Sequence, residues 1–172
     1  PIFKSADRDH GYAVVNYREI EPDYGTLADF DRLLAEAHQR GIGVIVDYVI
    51  NHSSAEHPLF EDAYDHKDSA YTDWYIFKDS PQKGWNTFSG DPWREAGQRW
   101  YYAVFDSGMP DFNLRNPQVM DFHLNNLRFW LNRGVDGFRF DAVGVLIENR
   151  AIAWENQPDN HAVMKRIQAL LP

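Results

Sequence analysis

Two short runs constrain what this chain can fold into more than any other feature. Gly43-Val44-Ile45-Val46-Asp47-Tyr48-Val49 is apolar apart from its carboxylate, and a second strand-like run, Val135 to Asp141, also closes on an Asp. Such runs suit parallel strands covered on both faces. Each follows a helical pattern and a glycine-bearing turn. Ahead of the first, Thr26 and Asp29 make a capping pair, and Leu27, Phe30, Leu33, Leu34 and Ala37 recur at helical spacing before Gly41. Ahead of the second, Asn116-Pro117 opens a helix with Met120, Leu124, Leu127 and Leu131 on one face, and Gly134 stops it. The spacing of Val163, Ile167, Leu170 and Leu171 predicts a third helix over 160–171. Helix then strand, twice over, is the alternation of an α/β fold.

Between His52 and about Asp106 the alternation stops. This segment is rich in aromatics, Asp, Ser, Gly and Pro, with weak periodicity, and is too long for an ordinary connection. It reads as an irregular subdomain inserted on the carboxyl side of the first strand, the side on which parallel barrels build active sites. Aromatic residues make up 15% of the chain, including six Trp and nine Tyr. Their faces pack against sugar rings and equally well inside a core. The net charge of −9, with 17 Lys and Arg scattered along the chain, argues against nucleic acid and anionic membrane surfaces. There is no cysteine for a disulfide or a thiolate metal site, and no apolar stretch long enough to span a bilayer.

Asp47 and Asp141 both close an apolar strand, so in a barrel each points into the mouth. Taken singly, either could be a helix cap or a solvated turn. Arg139 lies two residues before Asp141 and therefore projects from the same strand face. A buried Arg beside a carboxylate keeps it ionised, as a nucleophile requires. Asn51 and His52 follow the first strand: the His can donate to a sugar hydroxyl, and the Asn oxygen can ligate a cation. The spacing of His52, His57 and His66 fits no zinc pattern.

Combined, these pieces resemble the α-amylase family, glycoside hydrolase family 13. Asp47-Tyr48-Val49-Ile50-Asn51-His52 and Gly137-Phe138-Arg139-Phe140-Asp141 resemble two of its signature blocks. Asp9-His10-Gly11-Tyr12 resembles the loop after its second strand, and Met109-Pro110-Asp111-Phe112-Asn113 the block closing its inserted domain B. The resemblance implies a partial (β/α)8 TIM barrel formed by residues 1–51 and 107–172, with domain B at 52–106. It implies Asp141 as the nucleophile that forms a covalent glycosyl–enzyme intermediate, Arg139 as its charge partner, and Asp47 as the carboxylate orienting Arg139. Asp9, Tyr12 and His52 would line the subsite of the reacting sugar. Asn51 would be a ligand of a structural calcium, and the chemistry itself needs no cofactor.

The same resemblance implies a Glu acid/base at a fifth strand and a later His-Asp pair. After Asp141 only Glu148 and Glu155 occur, in a stretch that reads as loop or short helix. Pro1-Ile2-Phe3 looks like the tail of the second barrel strand. The chain is therefore expected to be inactive by itself and to need the remainder of the barrel. Gly144 and Val145 stand where many α-amylases carry Lys-His, the His giving a carbonyl to calcium. Ala13 looks like the amylosucrase branch, and Glu155-Asn156-Gln157-Pro158 resembles a segment of trehalose synthases and amylosucrases; Gly84-Trp85-Asn86-Thr87-Phe88 and Met109-Pro110-Asp111-Phe112-Asn113 look more like bacterial α-amylases and cyclomaltodextrinase relatives. The leading expectation is a retaining hydrolase of α-1,4 bonds in starch or maltooligosaccharides. The alternatives are a transglycosylase or isomerase of the amylosucrase or trehalose synthase type, an α-glucosidase, and a non-catalytic amylase-like binding protein.

Overall fold

The computed structural model describes residues 1–6 and 10–169. In chain order its main elements are β1 (Phe3–Ser5), β2 (Val14–Ile20), α1 (Leu27–Gln39), β3 (Ile45–Tyr48), α2 (Pro58–Asp65), β4 (Phe77–Lys78), β5 (Trp93–Ala96), β6 (Arg99–Tyr102), α3 (Pro117–Arg133), β7 (Gly137–Phe140) and α4 (Pro158–Gln168).

The two runs that close on carboxylates become β3 and β7, which pair in parallel with Ile45 opposite Gly137, Val46 opposite Phe138, Asp47 opposite Arg139 and Tyr48 opposite Phe140. Each is fed by its helix, so the described residues form an arc of a (β/α)8 barrel. Local chemistry sets the helix ends. Thr26 Oγ1 accepts from the Asp29 amide at 3.2 Å, while Asp29 returns a carboxylate oxygen to the Thr26 amide at 2.9 Å, closing a capping box ahead of α1. Asn116 caps α3, Pro117 takes its first position, and Gly134 ends it at φ 106°, a conformation few L-residues tolerate. In α4, Val163 and Ile167 are buried as predicted; Leu170 and Leu171 lie outside the described residues.

The core between these layers is aromatic. Phe3 stacks on Trp130 at 5.1 Å and meets Tyr48 edge-on at 5.8 Å, while Tyr17 lies 5.2 Å from Tyr48. Two polar contacts lie inside this cluster: Trp130 Nε1 donates to the Tyr17 carbonyl at 2.8 Å, and the Tyr48 hydroxyl bonds His123 Nδ1 at 2.9 Å. The Tyr17 hydroxyl reaches the carbonyls of Val49 at 2.9 Å and His52 at 2.8 Å. It has one proton to share between them, and it fixes the backbone just beyond β3.

Four expectations are corrected. The strands are shorter than the apolar runs, because the Asp136 carboxylate accepts from the Val44 amide at 2.6 Å and bonds His38 at 2.8 Å, closing the ladder's entrance with side chains. The parallel strands are not covered on both faces: Ile45 is 66% exposed. Among the described residues β3 and β7 have only each other as neighbours, and an apolar trough of about 850 Å³ runs past Ile2, Ile20, Phe30, Leu33 and Ile45. Phe3 does not continue a parallel strand. It pairs antiparallel with Ile20 in the β1–β2 ladder. Finally, the inserted segment is not irregular: it holds α2 and an antiparallel sheet of order β4-β6-β5. Bridges from His52 to Asp111 and from Tyr75 to Phe112 seat it on the barrel arc.

Substituting Tyr17→Phe removes one buried donor from two carbonyls while leaving the ring in place. Unfolding in urea should show a loss of about 1–3 kcal/mol with an unchanged denaturant slope.

Candidate active site

The parallel register brings the charged residues together. Opposite Asp47 in the ladder, Arg139 donates from Nη1 to Asp47 Oδ2 at 2.7 Å. The same nitrogen makes an ion-pair contact with Asp141 Oδ1 at 2.8 Å. One guanidinium nitrogen therefore sits between two carboxylates from neighbouring strand ends. The hydrogen bond to Asp47, ahead of the charges of Asp47 and Asp141, raises the Arg139 pKa above its ordinary value. Arg139 is not buried as the sequence suggested: its side chain is 50% exposed. Its effect on Asp141 is screened by water, and its more secure role in this arrangement is geometric.

Behind Asp141 the chain turns sharply. Ala142 lies at φ 55° and ψ 26°, left-handed backbone that costs a residue with a Cβ about 1–2 kcal/mol. The turn is held from outside: the Gly144 carbonyl accepts from the Asn156 amide at 2.6 Å and from Asn160 Nδ2 at 2.7 Å.

Asp141, Tyr12, His52, Phe105 and Met109 line a pocket of about 210 Å³. This is smaller than the pockets of drug-sized ligands and suits one ring with a few polar contacts. His52 is buried, and burial pushes its pKa down to about 4, against the pull of the Tyr12 carbonyl and of Asp141 and Asp106. Its neutral ring is held at both nitrogens: Nε2 lies 3.2 Å from the Tyr12 carbonyl and Nδ1 lies 3.3 Å from Asn51 Nδ2. That pattern makes Nε2 the protonated nitrogen, donating to Tyr12 where the sequence suggested a sugar hydroxyl. Asp9 lies outside the described residues.

Asn51 is buried and donates from Nδ2 to Asp111 Oδ2 at 3.0 Å, while its Oδ1 has no hydrogen-bond partner. That bare oxygen suits a cation. Calcium takes six to eight oxygens. Asp111 already accepts from Asn51 and from the Val104 amide, and among the described residues no three His, Cys, Asp or Glu side chains gather to hold a metal.

The sequence reading assigned no role to several residues that shape the site, although it quoted Met109 and Asp111 within one block. Asp111 is fully buried, and burial drives its carboxyl well above the usual range. It joins the inserted sheet to Asn51. A carboxylate between Pro110 and Phe112 was a signal for such a role. Phe105 and Met109 line the pocket but lie in a stretch without periodicity. Glu148 accepts from Arg115 Nη1 at 3.0 Å in a loop, so it is engaged in holding that loop to the start of α3.

Comparison with known proteins follows from this geometry. A family model described as the catalytic domain of alpha amylase matches residues 1–171. The chain is 38% identical to a trehalose synthase of Pimelobacter sp. (strain R48), over 98% of this chain and 31% of that protein. It is 42% identical to a probable alpha-glucosidase of Rhizobium meliloti (strain 1021), over 88% of this chain and 29% of that protein. The trehalose-6-phosphate hydrolase of Bacillus licheniformis superposes with a TM-score of 0.93 at 32% identity, over 99% of this chain and 34% of that structure. The chain spans about a third of the length of the curated relatives it matches.

Three buried imidazoles give the region a pH signature. Burial lowers His52 and His57 to about 4 and His123 to about 3. Each is depressed in the folded state, so the unfolded chain takes up the proton first. Their contribution to stability is whole above about pH 6.5 and is lost as pH falls towards 4. Asp111 and Glu148, raised by burial, contribute with the opposite slope. Imidazole NMR separates the two effects: the rings of His52, His57 and His123 should still be neutral at about pH 5.5.

Proposed function

The chain belongs to the α-amylase family of catalytic domains, and we propose that it supplies the nucleophile side of a retaining site that cleaves or transfers α-glucosyl units of short α-glucosides. The observation that carries this reading is Asp141, at the wall of a one-ring pocket with its carboxylate 2.8 Å from Arg139. In the reaction, an Asp141 oxygen attacks the anomeric carbon as the glycosidic C–O bond breaks, and the departing oxygen takes a proton from a second carboxyl. That carboxyl is expected outside these residues, since Glu148 is tied to Arg115. Water or a sugar hydroxyl then attacks the glycosyl–enzyme ester from the face the leaving group vacated. Its proton goes to the second carboxylate, and Asp141 is released with the anomeric configuration retained. Arg139, aimed by Asp47, holds Asp141 in line throughout.

A short substrate is preferred here to the starch or maltooligosaccharide substrates of the sequence reading. The walls that these residues supply enclose a space of about one sugar ring. The relatives include a trehalose synthase and proteins named as an alpha-glucosidase and an oligo-1,6-glucosidase. Transfer between sugars, as in a trehalose synthase, and hydrolysis share every step up to the attack on the ester. They separate only by what attacks it.

In the full-length enzyme Asp141→Asn should lower turnover by at least about 10⁴-fold with a nearly unchanged melting temperature, because a neutral amide can accept the Arg139 hydrogen bond but cannot attack. Product analysis with maltose, sucrose and starch should give glucose or a rearranged disaccharide from maltose, with little action on starch. Endo-cleavage of starch as the fastest reaction would favour the α-amylase reading instead. The chemistry requires no cofactor, and EDTA should leave the melting temperature within about 1 °C, as expected where Asp111 is already engaged by Asn51 and Val104 and Asp47 by Arg139.

A further inference from the structure

Asp141 is held only lightly from the strand side. β7 ends at Phe140, and the next bond towards β3, from the Asp141 amide to the Tyr48 carbonyl, is long at 3.4 Å. Beyond Asp141 the chain enters the left-handed turn at Ala142. Backbone of that kind persists where its surroundings over-determine it. Here the hold comes from α4, and it runs through one side chain.

Asn160 lies in the first turn of α4, is buried, and uses both ends of its amide on the turn after Asp141. Nδ2 donates to the Gly144 carbonyl at 2.7 Å, and Oδ1 accepts from the Ile147 amide at 3.0 Å. A carbonyl on one side and an amide on the other settle which end of the side chain is which. The residues between these two bonds, Val145 and Leu146, are themselves buried, so water does not compete for the backbone groups. The other polar contacts of this loop with α4, from Asn149 to Gln157 and Asp159, are exposed. One side-chain amide thus supplies both the donor and the acceptor that a neighbouring strand would offer.

We propose that Asn160 is a positioning residue for Asp141: its two hydrogen bonds hold the left-handed turn and so keep the nucleophile's carboxylate in line with the anomeric carbon. This rests on the reading of Asp141 as nucleophile in the proposed function. Asn160 does not line the Asp141 pocket, and its effect passes through the backbone of residues 142–147. The neutral amide is required. Alanine removes both bonds. Aspartate keeps the acceptor for Ile147 but sets a second oxygen against the Gly144 carbonyl unless it carries a proton.

The test uses the full-length enzyme. A fluorinated α-glucosyl fluoride whose covalent ester turns over slowly counts the intact sites, peptide mapping locates the ester, and rates are then read per intact site. With Asn160→Ala, kcat/KM for maltose should fall about ten- to a hundredfold, the scale of a small misplacement of a reacting group. The dissociation constant of glucose, by ligand-observed NMR, should stay within about twofold, because the pocket walls are untouched. The loss in Asn160→Asp, relative to wild type, should shrink as pH falls towards about 4, where the new carboxyl gains the proton it donates to Gly144; the loss in Asn160→Ala should stay flat. Either variant suffices if the other does not fold. Per-site rates within about twofold of wild type overturn this inference alone. So does a loss of glucose binding in step with the rate, since the pocket would then have moved, and so does failure of both variants to yield any intact site, which makes Asn160 a residue of folding. A wild-type enzyme labelled at a residue other than Asp141 overturns the nucleophile reading, and this inference with it.

Discussion

The register between β3 and β7 is the constraint on which the rest depends. A parallel ladder repeats every two residues on a face, and a slip of one residue would turn Arg139 and Asp141 together away from Asp47. With Asp47 opposite Arg139, one guanidinium nitrogen lies 2.7 Å from one carboxylate and 2.8 Å from the other. The register is in turn held by features far from the charges. Asp136 clamps the entrance of the ladder, and the Tyr17 hydroxyl secures the carbonyls just past its exit. The aromatic core thus acts on the site through backbone position rather than through contact with substrate.

What the sequence made legible was local or repetitive. The capping box at Thr26, the helix start at Pro117 and the stop at Gly134 each involve residues a few positions apart, and all three stand in the structure. Asp47, Arg139 and Asp141 could be singled out because each sits in an apolar run where a charge requires a reason. What stayed hidden was long-range. The sheet of the insertion is built from strands of two to four residues, too short to show alternation. Phe3 reads as part of a parallel strand until its antiparallel partner, seventeen positions on at Ile20, is known. The exposure of Arg139 and Ile45 depends on which neighbours surround a strand, and apolar pattern alone does not carry that information.

The electrostatic character of the site is divided. On the pocket side, His52 is buried and neutral, and its ring nitrogens are occupied by Tyr12 and Asn51. On the strand-end side, Arg139 is half in water, and its charge is partly screened. The buried Asp111 belongs to neither side. It is structural, joining the insertion to Asn51 through one hydrogen bond and to Val104 through another.

The left-handed turn at Ala142 limits how this loop can vary. Glycine would relieve the backbone there but would also loosen the only peptide linking Asp141 to the rest of the turn. A β-branched residue would add to the strain that alanine already bears. The anchoring partner is restricted as well, since a Cβ on Gly144 would come within 3.1 Å of Asn156 Oδ1. Positions 142, 144 and 156 are therefore mutationally coupled, although none of the three side chains has a part in the chemistry. In a lineage drifting towards new substrates, change here would have to be concerted.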